Sequence, residues 1–209
     1  MASYDLTIPI SEAEVRALHV GDTVQLSGVM VTGRDAAHKY MIDTFIRSDE
    51  VPESEQALYE ELKRLLEGSL IYHCGPVVRQ LEDGSWEFVA AGPTTSIREE
   101  PYEAEVIAHF GLRGVIGKGG MGAKTLQACR EHGAAYFHAV GGAASLIANA
   151  VKEVVAVYKK DEFGVPEAFW VIRVEDFPLV VTMDTHGRSI HDEVETNSQA
   201  ALDALVVSG

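Results

Sequence analysis

One nine-residue stretch constrains this chain most: Gly114-Val115-Ile116-Gly117-Lys118-Gly119-Gly120-Met121-Gly122. Val115-Ile116 reads as the end of a buried strand, four glycines then crowd around one lysine, and a helical run from Ala123 to Glu131 follows. Glycine accepts positive φ and lets a backbone approach a ligand closely. A helix N-terminus beyond such a loop presents unpaired N–H groups and a partial positive charge, and Lys118 adds a full one. The pattern suits an anion site. It suits equally a tight strand-to-helix turn with a solvated lysine. It lacks the G-x-x-x-x-G-K-[ST] order of a Walker A loop, and it does not follow a first strand as a dinucleotide-binding fingerprint does.

The strand, glycine turn, helix sequence recurs at Gly92, Gly117 and Gly141. Such a recurrence predicts an α/β layer with several turns opening on one edge. The first quarter is richer in β signals. Tyr4 to Ile10 alternates as a strand does, Ser11 to Glu14 is a capping box, and strands over Thr23–Ser27 and Val29–Val31 are expected to break at Gly28. Helices are expected over Ala36–Ile46, with Asp35 at the N-cap, over Ser54–Glu67 and over Tyr102–Phe110. A hairpin is expected over Val77–Leu81 and Trp86–Ala91. Further strands read as Ala134–Ala139, Val154–Tyr158, Pro166–Val174 and Phe177–Met183, and the tail from Glu195 to Val207 suits a helix. With no repeat and no low-complexity linker, the chain reads as a single domain over 1–209.

Charge narrows the partners. The 209 residues hold 32 acids against 17 lysines and arginines, a formal charge of −15, which argues against nucleic acid and anionic membranes as partners. No apolar run approaches the roughly 20 residues needed to span a bilayer. The start, Met1-Ala2-Ser3-Tyr4-Asp5, lacks a basic region and an apolar core, so the expected location is the cytoplasm. Cys74 and Cys129 are the only cysteines; they form no C-x-x-C pair and by themselves ligate neither an iron–sulfur cluster nor a structural zinc. The eight histidines contain no H-E-x-x-H or H-x-H, and no metal site is expected on this chain.

Two further segments carry chemistry. Gly92-Pro93-Thr94-Thr95-Ser96-Ile97-Arg98 follows a strand with three consecutive hydroxyls and an arginine. The hydroxyls are donors to a carboxylate or phosphate and Arg98 can bind a carboxylate bidentately; an ST-turn capping the next helix fits the same residues. Arg34, in Gly33-Arg34-Asp35-Ala36-Ala37-His38, precedes a helix and would face the space before its N-terminus.

Taken with Asp184-Thr185-His186-Gly187, these three segments occur in an order that resembles the β subunit of class I fumarase and L(+)-tartrate dehydratase, the unit that forms the C-terminal domain of single-chain class I fumarases. The resemblance runs from about Leu6 to Val194. It implies a swivelling β/β/α domain, an α/β fold with a mixed sheet, flanking helices and a β-rich N-terminal part. It implies reversible hydration of fumarate to malate, or, as alternatives, tartrate dehydration, a mesaconate-type substrate, or a dicarboxylate-binding module without catalysis. The implied partner is an α subunit, in an α2β2 assembly, that carries a 4Fe-4S cluster on three cysteines of its own. Residue by residue, Arg34, Arg98 and Lys118 match the family's dicarboxylate-binding cations, Thr94 matches the residue proposed as the base at C3, and Thr95 matches a substrate hydrogen-bond donor. Thr94 and Lys118 are thus the implied catalytic residues. Two positions depart from the family: Glu99 stands where many relatives have Met, and Ala143 where many have Cys.

Overall fold

The structure, a computed structural model, describes residues 1–140 and 142–207; Gly141 of the third expected glycine turn lies outside the described residues. Nine strands and eight helices are described, and the expected mixed α/β layer is present. The strands are β1 (Ser3–Thr7), β2 (Thr23–Thr32), β3 (Leu70–Tyr72), β4 (Val77–Gln80), β5 (Trp86–Ala90), β6 (Gly114–Gly117), β7 (Ala135–His138), β8 (Val151–Tyr158) and β9 (Phe169–Met183). The helices are α1 (Glu12–Arg16), α2 (Asp35–Met41), α3 (Gln56–Leu66), α4 (Glu103–Phe110), α5 (Ala123–His132), α6 (Ala144–Ala148), α7 (Lys160–Phe163) and α8 (Ile190–Val207). Among the described residues no helix is long and apolar enough to cross a membrane.

Seven strands form one mixed sheet in the order β1-β2-β3-β6-β7-β9-β8, and β4 and β5 form a separate hairpin as expected. The strands β1, β2, β3, β6 and β7 pair in parallel, while β9 runs antiparallel to β7, β8 and β2. Val180 illustrates the geometry: it pairs with His138 of β7 on one side and Thr23 of β2 on the other. The strands β2, β3, β6, β7 and β9 therefore run round to closure.

Alternation along each strand sends side chains to two cores. Leu70, Tyr72, Ile116, Phe137, Trp170 and Ile172 point to one side, where β1, α1 and the hairpin pack. Ile71, Val115, Tyr136, Phe169 and Val171 point to the other, against α2, α3, α4 and α5. Strands buried on both faces need continuous apolar runs, which is what Leu70–Tyr72 and Gly114–Gly117 supply.

Several boundaries differ from expectation for local reasons. The two expected strands Thr23–Ser27 and Val29–Val31 are one strand, and so are Pro166–Val174 and Phe177–Met183. β2 and β9 pair on both sides of a register shift between Leu26 and Gly28. Asp176, opposite that shift, takes a positive φ of 50° and its N–H donates to Ser27 Oγ at 3.1 Å, so the irregularity is a bulge, not a break. The capping box at Ser11 and Glu14 is present. Asp35 is not the N-cap of α2: Arg34 holds that position and Asp35 is the first helical residue. α2 also ends early, in a π-helical turn over Ile42–Ile46.

Candidate functional site

Parallel strands place their C-terminal ends, and the loops that leave them, on one edge, which is where α/β sheets bind ligands. The loop after β2 carries Arg34, β3 ends at Tyr72 and leads into His73 and Cys74, the loop after β6 carries Lys118, and β7 ends at His138. The threonine loop, entering from β5, is stitched between β3 and β6. Thr94 N–H donates to His73 O at 2.7 Å and Thr94 Oγ1 donates to the same oxygen at 3.1 Å. Lys118 N–H donates to Thr94 O at 3.1 Å, and Ser96 N–H donates back to Lys118 O at 3.1 Å. Thr94, Thr95 and Lys118 are thus held side by side by main-chain bonds, with Thr95 and Lys118 bridged in parallel. Thr95 and Lys118 are exposed.

The arginines are differently placed. Arg98 is exposed and grips Asp35 through Nε at 3.0 Å and Nη2 at 2.6 Å. That pair ties the threonine loop to the start of α2. Arg34 is mostly buried, with Nη1 3.2 Å from Glu167 Oε1, and its Nε is buried without a partner among the described residues. Two of the three expected cations therefore already have carboxylate partners. Lys118 has no ion-pair partner among the described residues.

The expected anion cradle at the head of α5 needs correction. Glu100 fills it: its carboxylate accepts from Gly122 N at 2.7 Å, Lys124 N at 3.0 Å, Thr125 N at 3.4 Å and Thr125 Oγ1 at 2.6 Å. The N-cap, Gly122, has no side chain to cap the helix, so an acid from the neighbouring loop supplies the acceptor. α2 repeats the device, with Glu167 Oε2 accepting from Ala36 N at 3.1 Å. Glu100→Ala is expected to lower unfolding free energy by about 1–2 kcal/mol, the range for a lost helix cap with charged hydrogen bonds. Urea denaturation of the full chain tests this, and an unchanged midpoint would remove Glu100 as the cap.

The glycines of the loop divide by task. Gly119 and Gly120 carry φ of +83° and +79°, which β-carbon-bearing residues rarely adopt. Gly117 instead makes room: a β-carbon there would lie 1.9 Å from Ser96 Oγ and 2.9 Å from Tyr136 Oη. Ser96 itself corrects an expectation. It is fully buried, bonded to His73 and Tyr136, and is not a surface donor beside Thr94 and Thr95.

Reading residue by residue missed His73, Glu103 and Tyr136, which lie beneath these loops, fully buried. His38, His73 and Glu103 bring their ligand atoms within 4.8 Å of one another. Nothing in their spacing announces this, because each comes from a different element. His138 and His191 were also missed. Burial pulls both imidazoles below their ordinary value, and the His191 ring lies where a side chain on Gly120 would stand.

An iron–sulfur cluster does not fit the donors this chain offers. Cys74 lies in one core and Cys129 in the other. Burial pushes the Cys74 thiol up to about 12 and the Cys129 thiol up as well, the reverse of what a thiolate ligand needs.

The chain matches the family described as Fumarase C-terminus over residues 2–194. It is 50% identical over 197 residues to a Geobacillus stearothermophilus protein provisionally named fumarate hydratase class I, a match that takes in 94% of this chain and 35% of that protein. It is 39% identical over 198 residues to a Methanocaldococcus jannaschii protein provisionally named L(+)-tartrate dehydratase subunit beta, covering 94% of this chain and 95% of that one. It is likewise 39% identical over 186 residues to the L(+)-tartrate dehydratase subunit beta of Escherichia coli, covering 88% and 85%. The chain thus spans about a third of the fumarate hydratase and most of each tartrate dehydratase subunit.

Proposed function

The chain belongs to the Fumarase C-terminus family, and from that premise we propose that it is the β part of a hydro-lyase that interconverts fumarate and malate. The observation that carries the reading is the main-chain lock that holds Thr94 beside Lys118, whose exposed side chain has no ion-pair partner among the described residues, at the edge where the parallel strands end. As one domain over 1–209, the chain supplies cations and hydrogen-bond donors for a four-carbon dicarboxylate. Lys118 binds one carboxylate of the substrate, with Arg98 and Arg34 as its neighbours. Thr95 donates a hydrogen bond. Thr94 takes or returns the proton at C3. A hydroxyl is a weak base at its ordinary acidity, so this step needs the nearby cations and a partner's carboxylate to favour the alkoxide.

The partner in this reading is an α subunit in a cytoplasmic α2β2 assembly, and the 4Fe-4S cluster of the enzyme sits on that subunit's cysteines. Ile97, Val140 and Leu146 are large apolar side chains left exposed in segments adjoining this edge, which suits a surface that a partner covers. Tartrate dehydration is the second reading, favoured by the 39% identity to two proteins named for that activity.

The test is anaerobic affinity purification of the chain from its native host, followed by identification of co-purifying chains, iron analysis and assays with malate, fumarate and L(+)-tartrate. A partner with three cluster cysteines, iron and turnover of malate is the expected result. Faster turnover of tartrate would move the assignment to the second reading. An iron-free monomer that binds dicarboxylates without turnover would overturn both.

A further inference from the structure

Beneath the loops that carry Arg34, Thr94 and Lys118 lies a line of fully buried polar side chains in close contact, His38, Glu103, His73, Ser96 and Tyr136. His38 Nδ1 lies 2.9 Å from the Arg34 carbonyl oxygen. That oxygen only accepts, so the nitrogen carries a proton. His73 Nε2 is hydrogen-bonded to Glu103 Oε2 at 3.0 Å, and His38 Nε2 stands 2.9 Å from the same oxygen as an ion-pair contact without hydrogen-bond alignment. His73 Nδ1 is 2.8 Å from Ser96 Oγ, which accepts from the Tyr136 hydroxyl at 2.8 Å. The Ser96 N–H in turn donates to Lys118 O at 3.1 Å. The line therefore touches every segment that presents a candidate site residue.

Its centre is one acid. Burial alone would push the Glu103 carboxyl up; His38 and His73 outweigh it and hold Glu103 down at about 2. Burial alone would pull His38 down, and the Glu103 charge reverses this, raising the imidazole above its ordinary value. Glu99 faces the same pair from the threonine loop, itself pushed up by burial, with Oε2 unpartnered among the described residues. A buried charged cluster of this kind is weak evidence for stability, since apolar residues of similar volume commonly serve as well or better. What it does supply is fixed geometry. His73 is the junction: its ring is held by Glu103 and Ser96, and its carbonyl oxygen accepts both bonds from Thr94.

We propose that Glu103 is a positioning residue of this site, one that touches no substrate but sets, through His38 and His73, where Arg34 and Thr94 stand relative to one another. The inference rests on reading this edge as the dicarboxylate site. It also extends that site to a residue some way below the surface that meets substrate.

Glu103→Gln is the variant to make, because it keeps shape and one oxygen while removing the charge. The first readout is amide hydrogen exchange on the full chain. Protection at His38, Thr94 and Lys118 is expected to fall at least about tenfold, the scale of a weakened charge-assisted hydrogen bond, while the β8–β9 and α3 amides keep theirs. The second is kcat/KM of the assembled enzyme, expected to fall about 10- to 100-fold and to be non-additive with Arg34→Lys, as coupled residues are. Unchanged protection, or protection lost uniformly across the sheet, overturns the proposal. So does one equivalent of zinc, iron or manganese bound to the wild-type chain and lost from the variant, which would make His38, His73 and Glu103 metal ligands. A wild-type assembly that turns over none of the three acids sinks the functional reading alone, because hydrogen exchange still decides the role of Glu103.

Discussion

Lys118→Ala lowers kcat/KM of the assembled enzyme by on the order of 10²-fold or more, the expected scale for removing a desolvated charged contact to substrate. The main chain of Lys118 is held on both sides, by Thr94 O and by Ser96 N–H, while its side chain is exposed and pairs with no described carboxylate. Arg34 and Arg98 are each engaged by a carboxylate, of Glu167 and Asp35, so under the proposed function Lys118 is the site cation whose charge is not already offset by a described acid. The substitution leaves the buried lattice intact, and thermal stability is expected to change little. Steady-state kinetics on fumarate, malate and tartrate checks the prediction. Near-normal kcat/KM on all three would take Lys118 out of the site.

Thr94→Ala lowers kcat by about 10²- to 10⁴-fold, the range for loss of a proton-transfer group, with a smaller change in KM. Thr94 Oγ1 donates to His73 O at 3.1 Å. That bond fixes the side chain with the proton still on Oγ1, so taking the C3 proton requires the hydroxyl proton to pass first to the partner's carboxylate, as the proposed alkoxide step does. Thr94→Ser keeps the hydroxyl and is expected to recover most of the rate. A rise in KM with kcat preserved would make Thr94 a binding residue.

Much of the fold was legible because periodicity is a local signal. The capping box at Ser11, the hairpin over Val77–Gln80 and Trp86–Ala90, and the α4 and α5 helices all follow from spacings within a dozen residues. The closure of the sheet was not legible. It depends on β9 reaching back to β2 some 150 residues earlier, and a continuous apolar run does not state its neighbours. The site divides in the same way. Thr94, Thr95, Arg98 and Lys118 stand out by residue type and loop chemistry, and their segments do meet. Glu100 and Glu103 look like ordinary acids near the start of a helix; only the fold turns one into the cap of a different helix and buries the other under two histidines.

The closed ring of strands also limits how this protein can join another. Every strand of β2, β3, β6, β7 and β9 has hydrogen-bonded neighbours on both flanks, so the strands beneath the site offer no row of free N–H and C=O groups. Among the described residues, the terminal strands of the main sheet are β1 and β8, and their outer flanks are where such rows remain. Strand addition, the cheapest route to adventitious pairing between sheets, is therefore closed off around the chemistry. Under the proposed function, a subunit that completes the site would meet loops and side chains, a contact that can open and shut without breaking a ladder of main-chain bonds.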